Sequence, residues 1–269
     1  MFDPIIYYRN SSDWEQERSA AKKYFKCVNL ITNLVLEPSS LAVGRYSLWP
    51  HYKNIEEDLK NIDCKLINTY AQHQYIAEMK DWVLDLEGLT PETWNKLENL
   101  PENGPFVLKG AETSKKNYWN TCMFAKNKKE AIQVHSRLCE DSLISYQDIY
   151  IRKYVPLKTY MIGIQGLPIT KEFRFFVCYG KVLSGGFYWS NYLEDLSEKP
   201  DYNEVPQEFL QTVIDKVKDN VNFFVIDVAQ TINGDWIVIE LNDAQSSGLS
   251  CNDSDILYAN LRNVIDDQK

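Results

Sequence analysis

Apolar and polar positions along this 269-residue chain come in short blocks that switch between a strand-like period of two and a helix-like period near 3.6. Ser12, with Glu15 three positions on, fits a capping box that opens a helix toward Phe25. Residues 27–36 (CVNLITNLVL) fit a strand or a buried helix equally, because a short run that is mostly apolar carries no decisive period. Cys64–Asn68 reads as a short strand, followed by one helix through Ile76 and Trp82. Thr90-Pro91 predicts a further helix ending near Leu100. Thr caps it, and Pro takes the first helical position, where its missing N–H costs nothing.

The segment Asn99–Pro105 (NLPENGP) is the clearest break, with two prolines and a glycine between patterned stretches. It divides the chain into a smaller α/β part, residues 1–100, and a larger part, residues 101–269. The larger part reads as a strand (Pro105–Gly110), a polar loop, a helix (Lys128–Cys139) and a strand (Ile149–Val155). A hairpin (Phe173–Ser184), a helix (Pro206–Lys218), a second hairpin (Phe223–Asn242) and a closing helix (Asp255–Val264) complete it. Phe209, Leu210, Val213, Ile214 and Val217 give the penultimate helix one apolar face. Antiparallel hairpins concentrated in the second part place the chain in the α+β class.

Composition narrows the partners. A hydrophobic share of 44% supplies a sizeable core, and a net charge of −9 argues against sequence-independent nucleic-acid binding, which needs Lys and Arg to neutralise phosphates. The first residues carry neither a basic nor an apolar leader region, and no apolar run approaches the ~20 residues of a membrane span. Six scattered cysteines without a C-x-x-C pair read as reduced thiols of a cytoplasmic protein. Of the three histidines, His51 and His73 have no companion at i+4, so surface or structural roles are expected rather than a His-based metal site.

The second hairpin carries the chemistry. Asn233-Gly234 between two β-rich runs predicts a two-residue type I′ turn. That turn sets Ile232 against Asp235 and Asp227 directly opposite Glu240, with Asn242 on the same face as Glu240. Two carboxylates about 5 Å apart at Cβ repel one another. A hard divalent cation offsets that repulsion, and two carboxylates plus an amide oxygen suit Mg²⁺. Ile226, Val228, Ile239 and Leu241 then face the core. The competing reading is an exposed acidic face.

The aliphatic-Asp227, Gly234, aliphatic-Glu240-x-Asn242 pattern, with Gly248 shortly after, resembles the metal-binding end of the ATP-grasp superfamily. Upstream matches follow in order. Phe106-Val-Leu-Lys109 resembles the strand whose lysine contacts the α- and β-phosphates. Tyr150-Ile-Arg152-Lys153-Tyr154-Val155 resembles the hinge that pairs with adenine through its backbone. Lys171-Glu-Phe-Arg174 resembles the strand whose arginine stabilises the transferred phosphoryl group. Lys80 is placed as the lysine of the smaller preceding subdomain. The resemblance spans about Pro105–Leu249 and implies an ATP-grasp fold after a smaller α/β domain. It also implies ATP and Mg²⁺ as cofactors, with Asp227, Glu240 and Asn242 as metal ligands. Two features depart from the family: the loop after Lys109 (GAETSKKNYWNT) has one glycine, with Lys115 and Lys116 as alternative charge, and Lys153 stands where an acidic ribose contact is usual.

Further candidates are the aromatic run Gly185–Tyr192, as an acceptor-pocket wall or loop packing, and Gly44-Arg45-Tyr46-Ser47, as a carboxylate site or a turn. The implied activity is a ligase that phosphorylates a small-molecule or peptide carboxylate for attack by an amine or thiol, with carbon–nitrogen bond formation favoured. A kinase acting on a hydroxyl, or a nucleotide-binding module without turnover, would use the same hairpin.

Overall fold

The computed structural model describes residues 3–9, 12–29, 40–47 and 51–268. The chain begins with β1 (Asp3–Tyr8), α1 (Ser12–Tyr24), β2 (Lys26–Asn29), β3 (Ser40–Arg45), α2 (Tyr52–Lys60) and β4 (Lys65–Leu66). The four strands form a parallel sheet in the order β2-β1-β3-β4. The capping role expected of Ser12 lies outside the described side chains, as do residues 30–36 of the ambiguous apolar run; its first residues belong to β2.

Thr69 opens α3 (Tyr70–Ala77) with a reciprocal capping box to Gln72. The single helix expected through Trp82 is two: Glu78 is extended (φ −91°, ψ 113°), and α4 (Met79–Asp85) starts afresh beyond it. The helix expected at Thr90-Pro91 does not form. Leu89 O accepts from Val238 N, and Thr90 Oγ1 donates to Val238 O and accepts from Arg152. These tertiary bonds hold the segment extended into β5 (Thr93–Trp94), and only a short 3₁₀ turn follows at Leu97–Asn99.

Beyond the proline-rich break come β6 (Asn103–Gly110), β7 (Phe124–Asn127), α5 (Lys128–Cys139) and β8 (Ile149–Lys153), in an antiparallel sheet ordered β5-β8-β6-β7. A small pair, β9 (Thr159–Ile162) and β10 (Pro168–Thr170), leads to β11 (Glu172–Cys178), β12 (Lys181–Phe187), α6 (Gln207–Val217), β13 (Phe223–Gln230), β14 (Trp236–Asp243) and α7 (Ser254–Asp266). The sheet β12-β11-β13-β14 is antiparallel throughout. Its period-two faces pack two ways. Phe173, Phe175, Val177, Phe224, Ile226 and Val228 join α4 and α6 in one cluster, while Phe176, Cys178, Phe223 and Val225 join β1, α1 and α7 in another. The second cluster ties the N-terminal sheet to the hairpin sheet. All six cysteines are free thiols. Among the described residues no helix is long and apolar enough to cross a membrane.

Candidate active site

The hairpin β13–β14 brings its carboxylates together by a route the turn signal alone does not give. The loop has three residues rather than two: Thr231 N donates to Asp235 O, Gly234 N donates to Thr231 O, and Gly234 takes φ +95°, a left-handed value natural to glycine. Thr231, not Ile232, therefore faces Asp235. A bulge restores the count, since Val228 pairs with Val238 and Asp227 with Glu240, leaving Ile239 as the extra residue. Asp227 and Glu240 are opposed as expected. Ile239 departs from expectation and lines a cleft, while Ile226, Val228 and Leu241 are in the core.

The carboxylates do not stand alone. Asp227, fully buried, accepts from Arg174 Nε at 2.8 Å and Nη2 at 2.7 Å, and Arg174 is its direct cross-strand neighbour. Burial opposes the charge of Arg174, but Asp227 more than offsets it and holds the guanidinium above its ordinary pKa. Arg174 Nη1 also donates to Gly248 O at 2.9 Å. Glu240 accepts from Lys109 Nζ at the end of β6. Burial, then the charges of Lys116 and Arg152, pull the Lys109 pKa down, so Glu240 is the counter-charge that keeps the ammonium paired. The like-charge repulsion expected of Asp227 and Glu240 is thus relieved by two cations.

Two cavities meet here. One is an apolar cleft of about 870 Å³ between the two large antiparallel sheets, walled by Val107 and Lys109 of β6, the hinge Arg152–Val155, Glu172, and Ile237, Ile239 and Glu240 of β14. The other is a polar cavity of about 900 Å³ that contains Arg174, Glu240, Asn242, Asp243 and His73. Ser114, Lys116 and Glu240 line both. The hinge follows expectation in part: Lys153, Tyr154 and Val155 face the cleft, whereas Arg152 is tied to Thr90 Oγ1, Thr93 Oγ1 and Ile239 O. Burial lowers the Arg152 pKa to about 10.

The lysine-rich loop divides its labour. Lys115 pairs with Asp141 at 2.6 Å, away from both cavities, while Lys116 reaches the junction and donates to Tyr188 OH. Burial works against its charge, but Tyr188 and Glu172 hold the Lys116 pKa above the ordinary lysine value. The aromatic run does both things expected of it: Tyr188 lines the polar cavity and Trp189 the apolar cleft, with Lys116 4.1 Å and 5.1 Å from their ring centroids. Glu172 is buried with Oε1 unpartnered and Oε2 accepting from Thr170. Burial foremost pushes its pKa up to about 7.

Lys80 falls outside this arrangement. It is exposed at the start of α4, paired with Glu78, and it lines neither cavity because its side chain points off the helix surface. Arg45 is likewise committed: Glu17 takes its Nε and Nη2, and Ala244 O and Ser247 O take the rest, so it fixes the segment after β14. Sequence reasoning missed His73 and Glu112, whose partners lie far along the chain; only the topology brings them to the polar cavity.

Mg²⁺ fits part of this donor set. Glu240 and Asn242 present hard oxygens to the polar cavity, whereas both oxygens of Asp227 are held by Arg174.

A nucleotide-sized cleft between two antiparallel sheets, opening onto a second cavity at a lysine and a glutamate, defines an ATP-grasp fold. D-cycloserine synthetase DcsG superposes with a TM-score of 0.60 at 12% identity, over 97% of this chain and 99% of its own. The ATP-grasp ligase PsnB, complexed with a phosphomimetic variant of minimal precursor, Mg and ADP, gives 0.61 at 10% identity, over 100% and 99%. The D-alanine–D-alanine ligase of Bacillus anthracis gives 0.57 at 14%, over 91% and 87%. Identities this low show the shared fold alone. No curated protein matches the chain by sequence. A family model for an ATP-grasp domain, family 3 of its clade, matches residues 97–261, more than half of the chain, and the protein belongs to that ATP-grasp family.

Proposed function

We propose that the protein is a Mg²⁺-dependent ATP-grasp ligase that converts a carboxylate to an acyl phosphate and joins it to an amine or thiol. The observation that supports this is the junction at Ser114, Lys116 and Glu240, where the apolar cleft opens into the polar cavity. Adenine would lie between Val107, Leu167 and Ile237. The N–H groups of Lys153 and Tyr154 donate to Glu92 O and Pro105 O, which leaves Val155 as the hinge residue to meet the base edge.

The phosphate chain then runs to Lys109 and Lys116, whose charges neutralise its oxygens, and ends beside Arg174. Glu240 and Asn242 would hold Mg²⁺, with Asp227 joining them where Arg174 exchanges its carboxylate for phosphate oxygens. The metal would supply Lewis-acid charge stabilisation on the phosphates. In the polar cavity a substrate carboxylate oxygen attacks the γ-phosphorus, the bond to ADP breaks, and the nucleophile then displaces phosphate from the acyl carbon. The chain contributes positioning and charge, not a covalent nucleophile. Residues 1–100 would form the acceptor side, since Ser47, His73 and Ala77 wall the polar cavity. The substrate would be a small molecule or peptide of the cytoplasm.

The test is a product assay with labelled ATP, Mg²⁺ and a panel of amino acids and peptides. A ligase releases inorganic phosphate only with both acceptors present. Label left on a hydroxyl acceptor would instead make the protein a kinase. Absence of any melting shift with millimolar Mg-ATP would overturn the nucleotide reading, because a ligand that binds only the folded state stabilises it by RT ln(1 + [L]/Kd).

A further inference from the structure

The polar cavity is charged oppositely at its two ends. Lys116 and Arg174 stand at the end shared with the cleft, whereas His73, Glu112 and Asp243 stand together elsewhere on its wall. His73 is built in rather than placed on a surface. Its ring stacks on Tyr52 with centroids 4.2 Å apart and 15° between planes, and its residue exposure is 8%. Nδ1 lies 3.1 Å from Asp243 Oδ2. Asp243 is itself fixed: Oδ1 accepts from Asn68 Nδ2 at 3.0 Å and from Gln245 N at 3.0 Å, and Gln245 Nε2 donates to Tyr52 OH at 2.8 Å.

A carboxylate at Nδ1 selects the neutral tautomer with the proton on Nδ1 and the lone pair on Nε2. Nε2 has no hydrogen-bond partner among the described residues; Glu112 Oε1 is 3.9 Å away, too far for one. A buried imidazole, oriented by a carboxylate and with its basic nitrogen unpartnered at a cavity wall, is the arrangement a general base requires. The adjacent carboxylate of Glu112 favours a cationic visitor over a neutral thiol or hydroxyl.

We propose that His73, Glu112 and Asp243 form the site for an amine nucleophile, with His73 as its proton acceptor. The proposal rests on the ligase reading above and names the class of its second substrate. The amine arrives as an ammonium beside Glu112 and gives one proton to His73 Nε2. Its freed lone pair attacks the acyl phosphate carbon, the C–N bond forms, and the C–O bond to phosphate breaks with its electron pair leaving on phosphate. The second N–H proton departs on that phosphate, and His73 returns its own to solvent.

The probe is glycinamide, a small primary amine without a carboxylate, with acetamide as the uncharged control. Histidine-specific isotope labelling of the full chain gives separate nitrogen resonances for His51, His73 and His135, assigned with His73→Gln. The expected result is an Nδ1-protonated His73 whose signals shift saturably with millimolar glycinamide while those of His51 and His135 do not. Glu112→Gln should weaken that apparent affinity by about tenfold, one charge-assisted contact's worth. A proton on Nε2, no shift with glycinamide, or an equal shift with acetamide each overturns the proposal. The same samples receive Mg-ATP. A normal melting shift with a failed glycinamide titration overturns the amine site alone, and a missing Mg-ATP shift overturns the nucleotide reading instead.

Discussion

Arg174 and Asp227 face each other across the β11–β13 ladder and share two parallel hydrogen bonds of 2.8 and 2.7 Å. Such a fork holds the guanidinium in one plane, and it also occupies the carboxylate that the hairpin would otherwise present to a metal. Removing one partner strands the other charge in the interior. Asp227→Ala is expected to cost about 3–5 kcal/mol of stability in denaturant unfolding. Replacing both, as Arg174→Met with Asp227→Leu, should cost less than either single change, and a double-mutant cycle measures the coupling.

Glu240 offers a reversal of sign. A carboxylate opposed only by Asp227 would predict that Glu240→Gln stabilises the metal-free protein by relieving repulsion. Lys109, 7% exposed, changes that expectation, since the amide leaves a buried ammonium without its counter-charge. Glu240→Gln should therefore lower apo stability by about 1–3 kcal/mol and abolish Mg²⁺-dependent turnover. A melting temperature at or above wild type would show that the ion pair contributes nothing.

Glu172 gives a pH signature. Its folded pKa of about 7 lies above the ordinary 4.5, so between those values the folded state binds more protons than the unfolded one. Stability then falls as pH rises through that window and levels off above it, by up to about 3 kcal/mol. Glu172→Gln should flatten this component, and the difference between the two unfolding curves across about pH 4 to about pH 8 reads it out.

Gly186, opposite Arg174 on β12, is where a side chain has no room: an added Cβ would lie 2.4 Å from the backbone carbon of Cys251. The close approach lets Asn252 Nδ2 donate to Arg174 O and Asn252 Oδ1 accept from Ser184. Gly186→Ala should destabilise by about 1–3 kcal/mol and loosen the Arg174 strand, seen as faster amide exchange at Cys251 and Asn252.

What the sequence discloses follows from how local its causes are. α5 is found at Lys128–Cys139 as expected, because Asn127 caps it and Ala131, Val134 and Leu138 form its buried stripe without outside help. The opposition of Asp227 and Glu240 is legible through the period of two and the glycine in the turn. Thr90-Pro91 misleads because Thr90 uses its hydroxyl on Val238 and Arg152, 148 and 62 residues away, rather than on its own next turn. His73 is hidden for the same reason, since Asp243 is 170 residues distant. Loop length is hidden differently: Asn233-Gly234 serves a two-residue or a three-residue turn equally well, and the compensating bulge at Ile239 has no sequence mark.

That bulge divides the hairpin into two ends with different tolerance to insertion and deletion. Between Val228 and Val238 a change in residue count alters only the tip, where Ile232 is 64% exposed and Gly234 has open space around its Cα. Between Ile239 and Asn242 a single lost or gained residue rotates Glu240 out of the junction and an apolar neighbour into it. Length variation among relatives is therefore expected to gather at the tip and to stop at Ile239.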